Sequence, residues 1–408
     1  SYKQEDGVIY QARDMAVVRA KIENIPIVLS SATPSLETRI NVRAGKYKEV
    51  VLLDRFGAAV MPRVDLIDMR LFPPENKAEF KSFLSPVLLN EIGRTLERSE
   101  QALLFLNRRG YAPLVLCRKC GHRFQCPNCS AWLVEHRNGR RLECHHCGYH
   151  IPVPQACPVC GEEGELASCG PGVERISEET AVRFPQARQL VVSGDLNATA
   201  AQMAELMRQI HDHEVDVIIG TQILTKGHHF PDLTLVGVVD ADLGLAGGDL
   251  RAGERTFQML HQVAGRAGRA DKNGQVFLQT FDPENQIMQA LKTGNADDFL
   301  AAEIQSRELL KMPPFGRLAG IIVSSPSQEY AQKAAALLGR CAPEGDGVRV
   351  LGPTPAPLSL LRGKYRYRLL LQTGRQIKIQ NVLQNWLSRL SLPSSVRVQT
   401  DIDPYSFF

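Results

Sequence analysis

Residues 233–239 read Leu-Thr-Leu-Val-Gly-Val-Val, a short apolar run. A similar run stands before it at 215–219, and a helical pattern over 251–264 leads to a third run at 274–280. Buried strands that are separated by helices build parallel sheets with both faces covered. This stretch therefore predicts an α/β fold around a parallel sheet.

The same alternation continues outward from this stretch. Upstream it predicts, in chain order, a helix at 14–23, a short buried strand at 27–30, a strand at 63–69, a helix at 85–98, a strand at 102–106, a helix at 172–183, a strand at 189–193 and a helix at 199–212. After a helix at 296–310 the order changes to β-α-β-β-α-β, which is typical of a ferredoxin-like α+β domain. Its predicted elements are 317–324, 327–340, 347–351, 364–372, 375–390 and 396–402.

The composition is that of a globular protein. The chain has 408 residues, of which 44% are hydrophobic and 23% charged, enough for two or three domains of roughly 150 residues each. No apolar run approaches the roughly 18 residues of a membrane span. The net charge is only +4, so any nucleic-acid surface must come from local clusters of basic residues.

Eight of the ten cysteines form four Cys-x-x-Cys pairs. Without a secretory signal, thiolate metal binding is favoured over disulfides, and two pairs complete one tetrahedral zinc site. The inner pairs are separated by fourteen residues, enough for a hairpin, which leaves the outer pairs for a second ion. The predicted sites are Cys126, Cys129, Cys144 and Cys147, and Cys117, Cys120, Cys157 and Cys160.

Other interpretations of this block stay open. In one alternative the eight cysteines are thiols that bind no metal, or form a redox-active Cys-x-x-Cys motif. Redox motifs, however, do not come four in a row. His145 and His146 are alternative ligands, although the cysteines already fill both sites. The basic residues of the block indicate either a docking surface for nucleic acid or protein, or a solvated face.

A second pattern is His-Gln-Val-Ala-Gly-Arg-Ala-Gly-Arg at 261–269. Gln262, Arg266 and Arg269 are spaced i, i+4 and i+7, which predicts one face of a helix. Two fixed guanidiniums suit a transferring phosphate, whose charge is spread over three oxygens. The alternative is a solvated basic helix end.

Four segments resemble superfamily 2 helicase motifs III to VI in their usual order. They are Ser-Ala-Thr-Pro at 31–34, Phe-Leu-Asn-Arg-Arg-Gly at 105–110, Gly-Thr-Gln…Lys-Gly-His-His-Phe at 220–230 and Gln-Val-Ala-Gly-Arg-Ala-Gly-Arg at 262–269. With the cysteine block after the second, the chain resembles the primosomal protein N′ (PriA) family of bacterial replication-restart helicases along essentially its whole length. The resemblance implies a RecA-like helicase lobe with an inserted double zinc-binding module and an α+β C-terminal domain. The implied division is 1–50 (remnant of lobe 1), 51–116 and 166–290 (lobe 2), 117–165 (zinc insertion) and 291–408 (C-terminal domain).

The resemblance also implies an activity, cofactors and partners. The family's activity is ATP-dependent 3′→5′ DNA unwinding at stalled or abandoned forks, with Mg²⁺ and two Zn²⁺ as cofactors. It starts primosome assembly in the bacterial cytoplasm, at forks in the nucleoid. Implied partners are forked DNA, the tail of single-stranded DNA-binding protein, primosome proteins and the machinery that loads the replicative helicase.

Site residues follow from the matching motifs. Arg266 and Arg269 would face the γ-phosphate, with Gln262 as their neighbour. Five residues would couple nucleotide to DNA: Ser31, Thr33, Thr221, Lys226 and Gly227. The segment 2–13 resembles a loop that senses single-stranded DNA, and its implied contacts are Tyr2, Lys3 and Tyr10.

The sequence departs from the family pattern by an absence. It contains no Gly-x-x-x-x-Gly-Lys-Ser/Thr and no Asp-Glu box, so it lacks a phosphate cradle and Mg²⁺ ligands. The first residue is Ser1 rather than Met. We expect a C-terminal part of a longer helicase that is inactive by itself. The alternative is a non-catalytic, zinc-containing DNA-binding or scaffold protein; another superfamily 2 enzyme, such as a branch-migration helicase, is disfavoured by the four cysteine pairs.

The segment 362–368 reads Arg-Gly-Lys-Tyr-Arg-Tyr-Arg. At strand period, Arg362, Lys364, Arg366 and Arg368 fall on one face and the two tyrosines on the other. We expect the cations to contact DNA phosphates; the alternative is an edge strand protected by charge. Asp240 and Asp242 either touch nucleotide or cap the following turn, and the cap is favoured.

Overall fold

The structure, a computed structural model, describes most of the chain. The described residues are 3–4, 9–52, 61–75, 82–106, 114–117, 122, 124, 127, 133–136, 141–143, 149–163, 166–169, 173–192, 199–221, 230–242, 245, 251–268 and 272–404.

The described part of the chain contains both strands and helices. The strands are β1 Lys3–Gln4, β2 Tyr10–Gln11, β3 Arg63–Asp68, β4 Gln101–Phe105, β5 Leu114–Cys117, β6 Val134–His136, β7 Arg141–Glu143, β8 His150–Pro152, β9 Leu166–Cys169, β10 Gln189–Val192, β11 Val217–Gly220, β12 Leu233–Val238, β13 Gln275–Thr280, β14 Gly316–Ser325, β15 Val348–Leu361, β16 Lys364–Gly374 and β17 Arg397–Ile402. The helices are α1 Ala12–Glu23, α2 Leu36–Arg43, α3 Pro86–Glu97, α4 Val173–Arg183, α5 Ala200–His211, α6 Ala252–Ala264, α7 Gln286–Thr293, α8 Asp297–Leu309, α9 Gln328–Arg340 and α10 Ile379–Leu387.

A six-stranded sheet confirms the predicted α/β fold. Its order is β10-β11-β4-β12-β13-β3, and every neighbouring pair is parallel. The central strands β4, β11 and β12 are buried along their whole length. Alternate residues such as Leu103 and Leu104 enter two separate apolar clusters. Each cluster covers one face of the sheet, as a parallel sheet requires.

A buried glutamine ties two layers of this domain together. Gln279 on β13 donates through Nε2 to the carbonyls of Phe83 and Val239, each at 2.9 Å. Its Oε1 accepts from the Ser85 amide at 2.7 Å. Ser85 in turn caps α3 through a bond from the Leu88 amide. The start of α3 is therefore fixed against the ends of β12 and β13.

The cysteine block forms a small sheet of its own. The antiparallel order is β8-β7-β6-β5-β9, and β6 with β7 form the hairpin that the spacing of the inner cysteine pairs predicts. Its core consists of Phe124, Leu133 and Leu142. Leu361, from the hairpin between β15 and β16, packs against the same core.

The last described part of the chain folds around a four-stranded antiparallel sheet. The order is β15-β16-β14-β17, with the helices α9 and α10 between strands in the sequence β14-α9-β15-β16-α10-β17. Leu338 of α9 and Trp386 of α10 lie in one core with Leu371 of β16.

Several predictions of local structure are wrong. Residues 27–30 form no strand and are exposed, because none of the described strands pairs with them. Helices α2 and α7 are absent from the prediction, and α10 is shorter than the predicted 375–390. Among the described residues, no helix has the length and apolar character to cross a membrane.

Glu179 is a buried carboxylate that organises the residues before α3. It accepts hydrogen bonds from the Ser82 hydroxyl and from the backbone amides of Phe83, at 2.8 Å, and Leu84, at 3.3 Å. Burial raises the pKa of Glu179 and outweighs these hydrogen bonds, which act in the opposite direction. The neutral form is therefore favoured by the fold.

We expect Glu179→Ala to lower the free energy of unfolding by about 2–3 kcal/mol, because buried donors lose their acceptor. Glu179→Gln keeps one acceptor oxygen but turns an NH2 group toward the remaining donors, so it should cost less, about 1 kcal/mol. A raised folded pKa stabilises the fold as pH falls toward 4.5, so wild type should gain stability relative to Glu179→Gln over that range. Urea unfolding at several pH values measures this; equal losses for both variants would contradict it.

Candidate functional site

Arg266 lies in a turn rather than on a helix. Helix α6 ends at Ala264, and the Arg266 amide donates to the Val263 carbonyl at 2.9 Å. The prediction that Gln262, Arg266 and Arg269 share one helical face is therefore wrong. Gln262 is exposed on α6 and Arg266 is half-buried beyond its end. Arg269 lies outside the described residues.

The arginine turn, residues 265–268, is pressed against the start of two strands. The Gly268 amide donates to the carbonyl of Leu233, the first residue of β12, at 3.0 Å. Gly268 has φ +63°, and a Cβ there would lie 2.1 Å from the backbone nitrogen of Gly274. Since Gly274 precedes β13, the turn is fixed at the amino edge of the sheet.

Thr221 lies at the opposite edge of the same sheet. It follows β11, is buried, and its amide donates to Val192 at 3.3 Å. The register pairs Gly220 with Phe105 and Leu233 with Gln101. Thr221 and the arginine turn are therefore separated by about 16 Å along the strands. Lys226 and Gly227 lie outside the described residues.

The Ser-Ala-Thr-Pro segment, residues 31–34, lies on α6. Gln258 donates through Nε2 to the Thr33 carbonyl at 3.2 Å. The Thr33 amide donates to the Ser31 hydroxyl at 3.1 Å, and Thr33 is buried while Ser31 is exposed. Ser35 then caps α2 by accepting from the Thr38 amide. One helix thus carries this segment on its side and the arginine turn at its end.

A cluster of charges at the amino edge was not predicted from the sequence. His213 contacts Asp232 at 2.9 Å and Asp216 at 3.7 Å, and Lys272 contacts Asp232 at 2.7 Å. Arg188 holds Asp216 at 2.6 Å. The hydrogen bonds from Lys272 and then His213 lower the pKa of Asp232, and the bond from Arg188 lowers that of Asp216. One sequence signal could have revealed this cluster, because a charged residue stands shortly before each of the strands β10, β11, β12 and β13.

The predicted DNA contacts near the start of the chain are described in part. Tyr10 is exposed on β2. The backbone of Lys3 pairs with Gln11 in the two-stranded sheet β1-β2. Tyr2 lies outside the described residues.

The basic segment at 362–368 is a hairpin turn followed by a strand. Arg362 has φ 50° and Gly363 has φ 72°, so Arg362 lies in the turn and the prediction of four cations on one strand face is wrong at this residue. Lys364, exposed, begins β16, on which Arg366 and Arg368 are half-buried. Burial lowers the pKa of Arg366. Tyr367 packs against the core, as predicted.

One of the four cysteine pairs can be tested as a zinc ligand pair. Cys157 is buried and Cys160 is half-buried. The Gly161 amide donates to the Cys157 carbonyl at 2.9 Å, and Gly161 has φ 73°. A Cys-x-x-Cys pair on a tight turn is the arrangement that supplies two ligands to a tetrahedral zinc ion. Cys120, Cys126, Cys129, Cys144 and Cys147 and the Cys117 side chain lie outside the described part.

Asp240 caps the turn after β12, whereas Asp242 binds the end of β13. The Asp242 amide donates to Asp240 Oδ1 at 3.2 Å. Asp242 accepts from the Thr280 hydroxyl at 2.5 Å and from the Phe281 amide at 2.6 Å. The favoured assignment as a cap of the following turn therefore agrees with the structure at Asp240 and is wrong at Asp242.

Three separate parts of the chain match models of known protein families. Residues 308–405 match the family model of the primosomal protein N C-terminal domain, 126–152 that of the PriA DNA helicase Cys-rich region domain, and 174–271 that of the helicase conserved C-terminal domain.

Related proteins match along the whole chain. Replication restart protein PriA of Rickettsia felis is 47% identical over 408 residues, covering 100% of this chain and 62% of that protein. Replication restart protein PriA of Bacillus subtilis is 36% identical over 413 residues, covering 99% of this chain and 50% of that protein. Yeast Dbp5 bound to RNA and ADP BeF3 is a distant structural neighbour, with 14% identity, coverage of 74% and 60%, and a TM-score of 0.35. The chain spans half to three fifths of the length of the Rickettsia felis and Bacillus subtilis proteins.

We expect Gly268→Ala to lower the free energy of unfolding by about 3 kcal/mol or more, because its Cβ meets backbone in addition to the cost of a left-handed conformation. Gly294→Ala is the matched control: φ is +70° there, but no atom lies within 4 Å of the new Cβ. It should cost only about 1–2 kcal/mol. Denaturant unfolding of both variants measures the difference, and equal costs would show that the close approach to Gly274 is unimportant.

Proposed function

Because this chain belongs to the PriA family of replication restart proteins, we propose that it is part of an ATP-dependent 3′→5′ DNA helicase. That helicase recognises stalled or abandoned replication forks and initiates primosome assembly. One observation carries the proposal: α6 bears the Ser-Ala-Thr-Pro segment on its side and the arginine turn at its end. Parts that respond to nucleotide and to DNA are thereby joined by one rigid element.

In this proposal the arginines act on ATP. Arg266 and Arg269 contact the γ-phosphate, since paired guanidiniums offset the charge that develops on its oxygens, and Gln262 lies beside them. Ser31, Thr33, Thr221, Lys226 and Gly227 couple the nucleotide to DNA. The 408 residues contain no Gly-x-x-x-x-Gly-Lys-Ser/Thr, so the phosphate cradle and Mg²⁺ ligands are supplied from outside this chain.

We further propose two structural zinc ions in the cysteine block. The turn at Cys157 and Cys160 and the β6-β7 hairpin support this assignment. Cys117 and Cys120 would join Cys157 and Cys160, while Cys126, Cys129, Cys144 and Cys147 would hold the second ion. Four thiolates close each site, so both ions act in folding rather than in catalysis.

The proposed domains follow the same scheme. Residues 1–50 derive from helicase lobe 1, 51–116 and 166–290 form lobe 2, and 117–165 are the zinc insertion. Residues 291–408 form a ferredoxin-like C-terminal domain, an assignment supported by the strand order β15-β16-β14-β17.

The proposed partners are forked DNA, the tail of single-stranded DNA-binding protein, primosome proteins and the loader of the replicative helicase. DNA contacts would come from Tyr2, Lys3, Tyr10, Arg362, Lys364, Arg366 and Arg368. The place of action is the bacterial cytoplasm, at forks in the nucleoid.

DNA-stimulated ATP hydrolysis by this chain, with zinc measured on the same sample, tests the proposal. We expect no hydrolysis and about two zinc ions per chain, as two four-cysteine sites require. Arg266→Ala is the control and should change neither value. Turnover that Arg266→Ala abolishes would show that a nucleotide site exists here without a P-loop, contrary to the proposal.

Salt dependence of DNA binding tests the basic strand. The binding constant K falls as salt rises, and each phosphate contact that is lost makes the slope of log K against log salt shallower by about one. We expect this change for Lys364→Ala and for Arg368→Ala with forked DNA. Lys333→Ala is the matched control, because Lys333 lies on α9 and pairs with Glu329 at 2.5 Å. An unchanged slope in both test variants would exclude phosphate contact.

A further inference from the structure

Three helices from separate parts of the chain meet in a buried cluster of charges. Glu37 belongs to α2, Glu254 to α6 and Arg307 to α8, and Arg251 directly precedes α6. The side chains of Arg251, Glu254 and Arg307 are only 8%, 4% and 7% exposed. Three helices with no sequence proximity are thus joined through ionised groups.

Glu254 contributes the central contacts. Its Oε1 accepts from the Leu36 amide at 3.0 Å, and its Oε2 accepts from Arg307 at 2.9 Å. Leu36 is the first residue of α2, so its amide belongs to the free N-terminal donors of that helix. A carboxylate at this position also interacts favourably with the helix dipole. Glu254 therefore caps α2 from a different helix.

Two neighbours of Glu254 reinforce this attachment. Arg251, Glu254 and Gln258 are three and four residues apart and lie on one face of α6. Arg251 contacts Glu37 at 2.6 Å, and Gln258 donates to the Thr33 carbonyl at 3.2 Å. The first turn of α2 and the Ser-Ala-Thr-Pro segment are thereby held on α6 at three points.

Arg307 connects the cluster to the C-terminal domain. Just beyond α8, the carbonyls of Leu310 and Lys311 accept from Gln372 Nε2 at 2.6 and 3.1 Å. Gln372 lies on β16, the strand that also carries the basic residues. A cavity of about 110 Å³ is lined by Arg307 together with Leu318 of that domain. The end of the helix that carries Arg307 is therefore attached to the sheet β15-β16-β14-β17.

The charges of this cluster depend on one another. Burial by itself raises the pKa of Glu37, but Arg251 and Arg307 reverse that effect and lower it. Removing one member of such a cluster leaves its partner charged and buried, which is strongly destabilising. Removing a whole pair avoids that penalty, which makes single and double variants distinguishable.

We propose that Glu254 and Arg307 are positioning residues that hold the Ser-Ala-Thr-Pro segment at a fixed place relative to the arginine turn and tie it to the C-terminal domain. The assumption that this positioning serves ATP-dependent DNA unwinding rests on the proposed function. The attachment itself rests on the contacts of Glu254, with those of Arg251 and Gln258 beside it.

Hydrogen exchange of the 408-residue chain, read by mass spectrometry, tests the attachment locally. In Glu254→Ala, we expect amides of residues 36–43 to exchange at least about tenfold faster, because the Leu36 amide loses its acceptor and Arg307 loses one of its carboxylate partners. Exchange in residues 328–340 of α9 should stay unchanged. If α2 is unaffected, or if both regions accelerate equally, Glu254 has no positioning role.

A double variant guards against simple misfolding. Arg307→Met should accelerate exchange in α2, because it removes the 2.9 Å ion pair of Glu254 and leaves it only Arg251, at 3.7 Å. Adding Glu254→Gln should restore exchange to within about threefold of wild type, since the amide oxygen still accepts from Leu36. Glu303→Gln is the matched control: Glu303 contacts Arg307 at 2.9 Å on the same helix and should leave α2 unchanged. Failure of the double variant to restore α2 would overturn the proposal.

Single-stranded DNA separates this inference from the proposed function. If residues 31–34 couple to DNA, bound oligonucleotide should slow exchange over 31–43 in wild type and less so in Glu254→Ala. Faster exchange in Glu254→Ala with no DNA effect in wild type would retain the positioning role and reject the DNA role. DNA protection that is equal in both proteins, without faster exchange, would reject the positioning role alone.

Discussion

Burial of α6 against the parallel sheet is the constraint on which the rest of the site depends. Phe257, Leu260 and Val263 enter the cluster that covers one face of the sheet. Because these residues fix the helix in position and rotation, its opposite face and its end are fixed as well. That other face holds Thr33 and α2, and the end directs the chain into the arginine turn.

The sequence predicts the sheet well because its strands are short, apolar runs whose burial requires no particular partner. It predicts α2 poorly for the opposite reason. Leu-Glu-Thr-Arg-Ile-Asn-Val-Arg is polar, and its stability comes from the burial of Leu36 and the cap from Glu254, which is 218 residues away from the Leu36 amide. Residues 27–30 show the converse, because an apolar run forms a strand only where a neighbouring strand pairs with it.

In the site, too, local sequence patterns predict less than contacts between separate parts of the chain determine. Helical spacing suggested one face for Gln262, Arg266 and Arg269, but α6 ends before Arg266. The contact between Gly268 and Gly274, which spacing cannot reveal, determines where that turn lies. Arg362 illustrates a local signal that was available: the pair Arg362-Gly363 between two predicted strands is a two-residue hairpin turn, and both residues have positive φ.

Thr221 and Arg266 lie at opposite edges of one sheet. A parallel sheet with both faces packed is stiff, so the two edges move together as a body rather than independently. Nothing within the sheet needs to deform for a displacement at one edge to reach the other. What can change is the placement of elements attached to the sheet from outside, and α2 is such an element, since polar contacts and one buried leucine hold it to α6. The attachments around Glu254 are therefore where a change of geometry between the sheet and the Ser-Ala-Thr-Pro segment would be absorbed or transmitted.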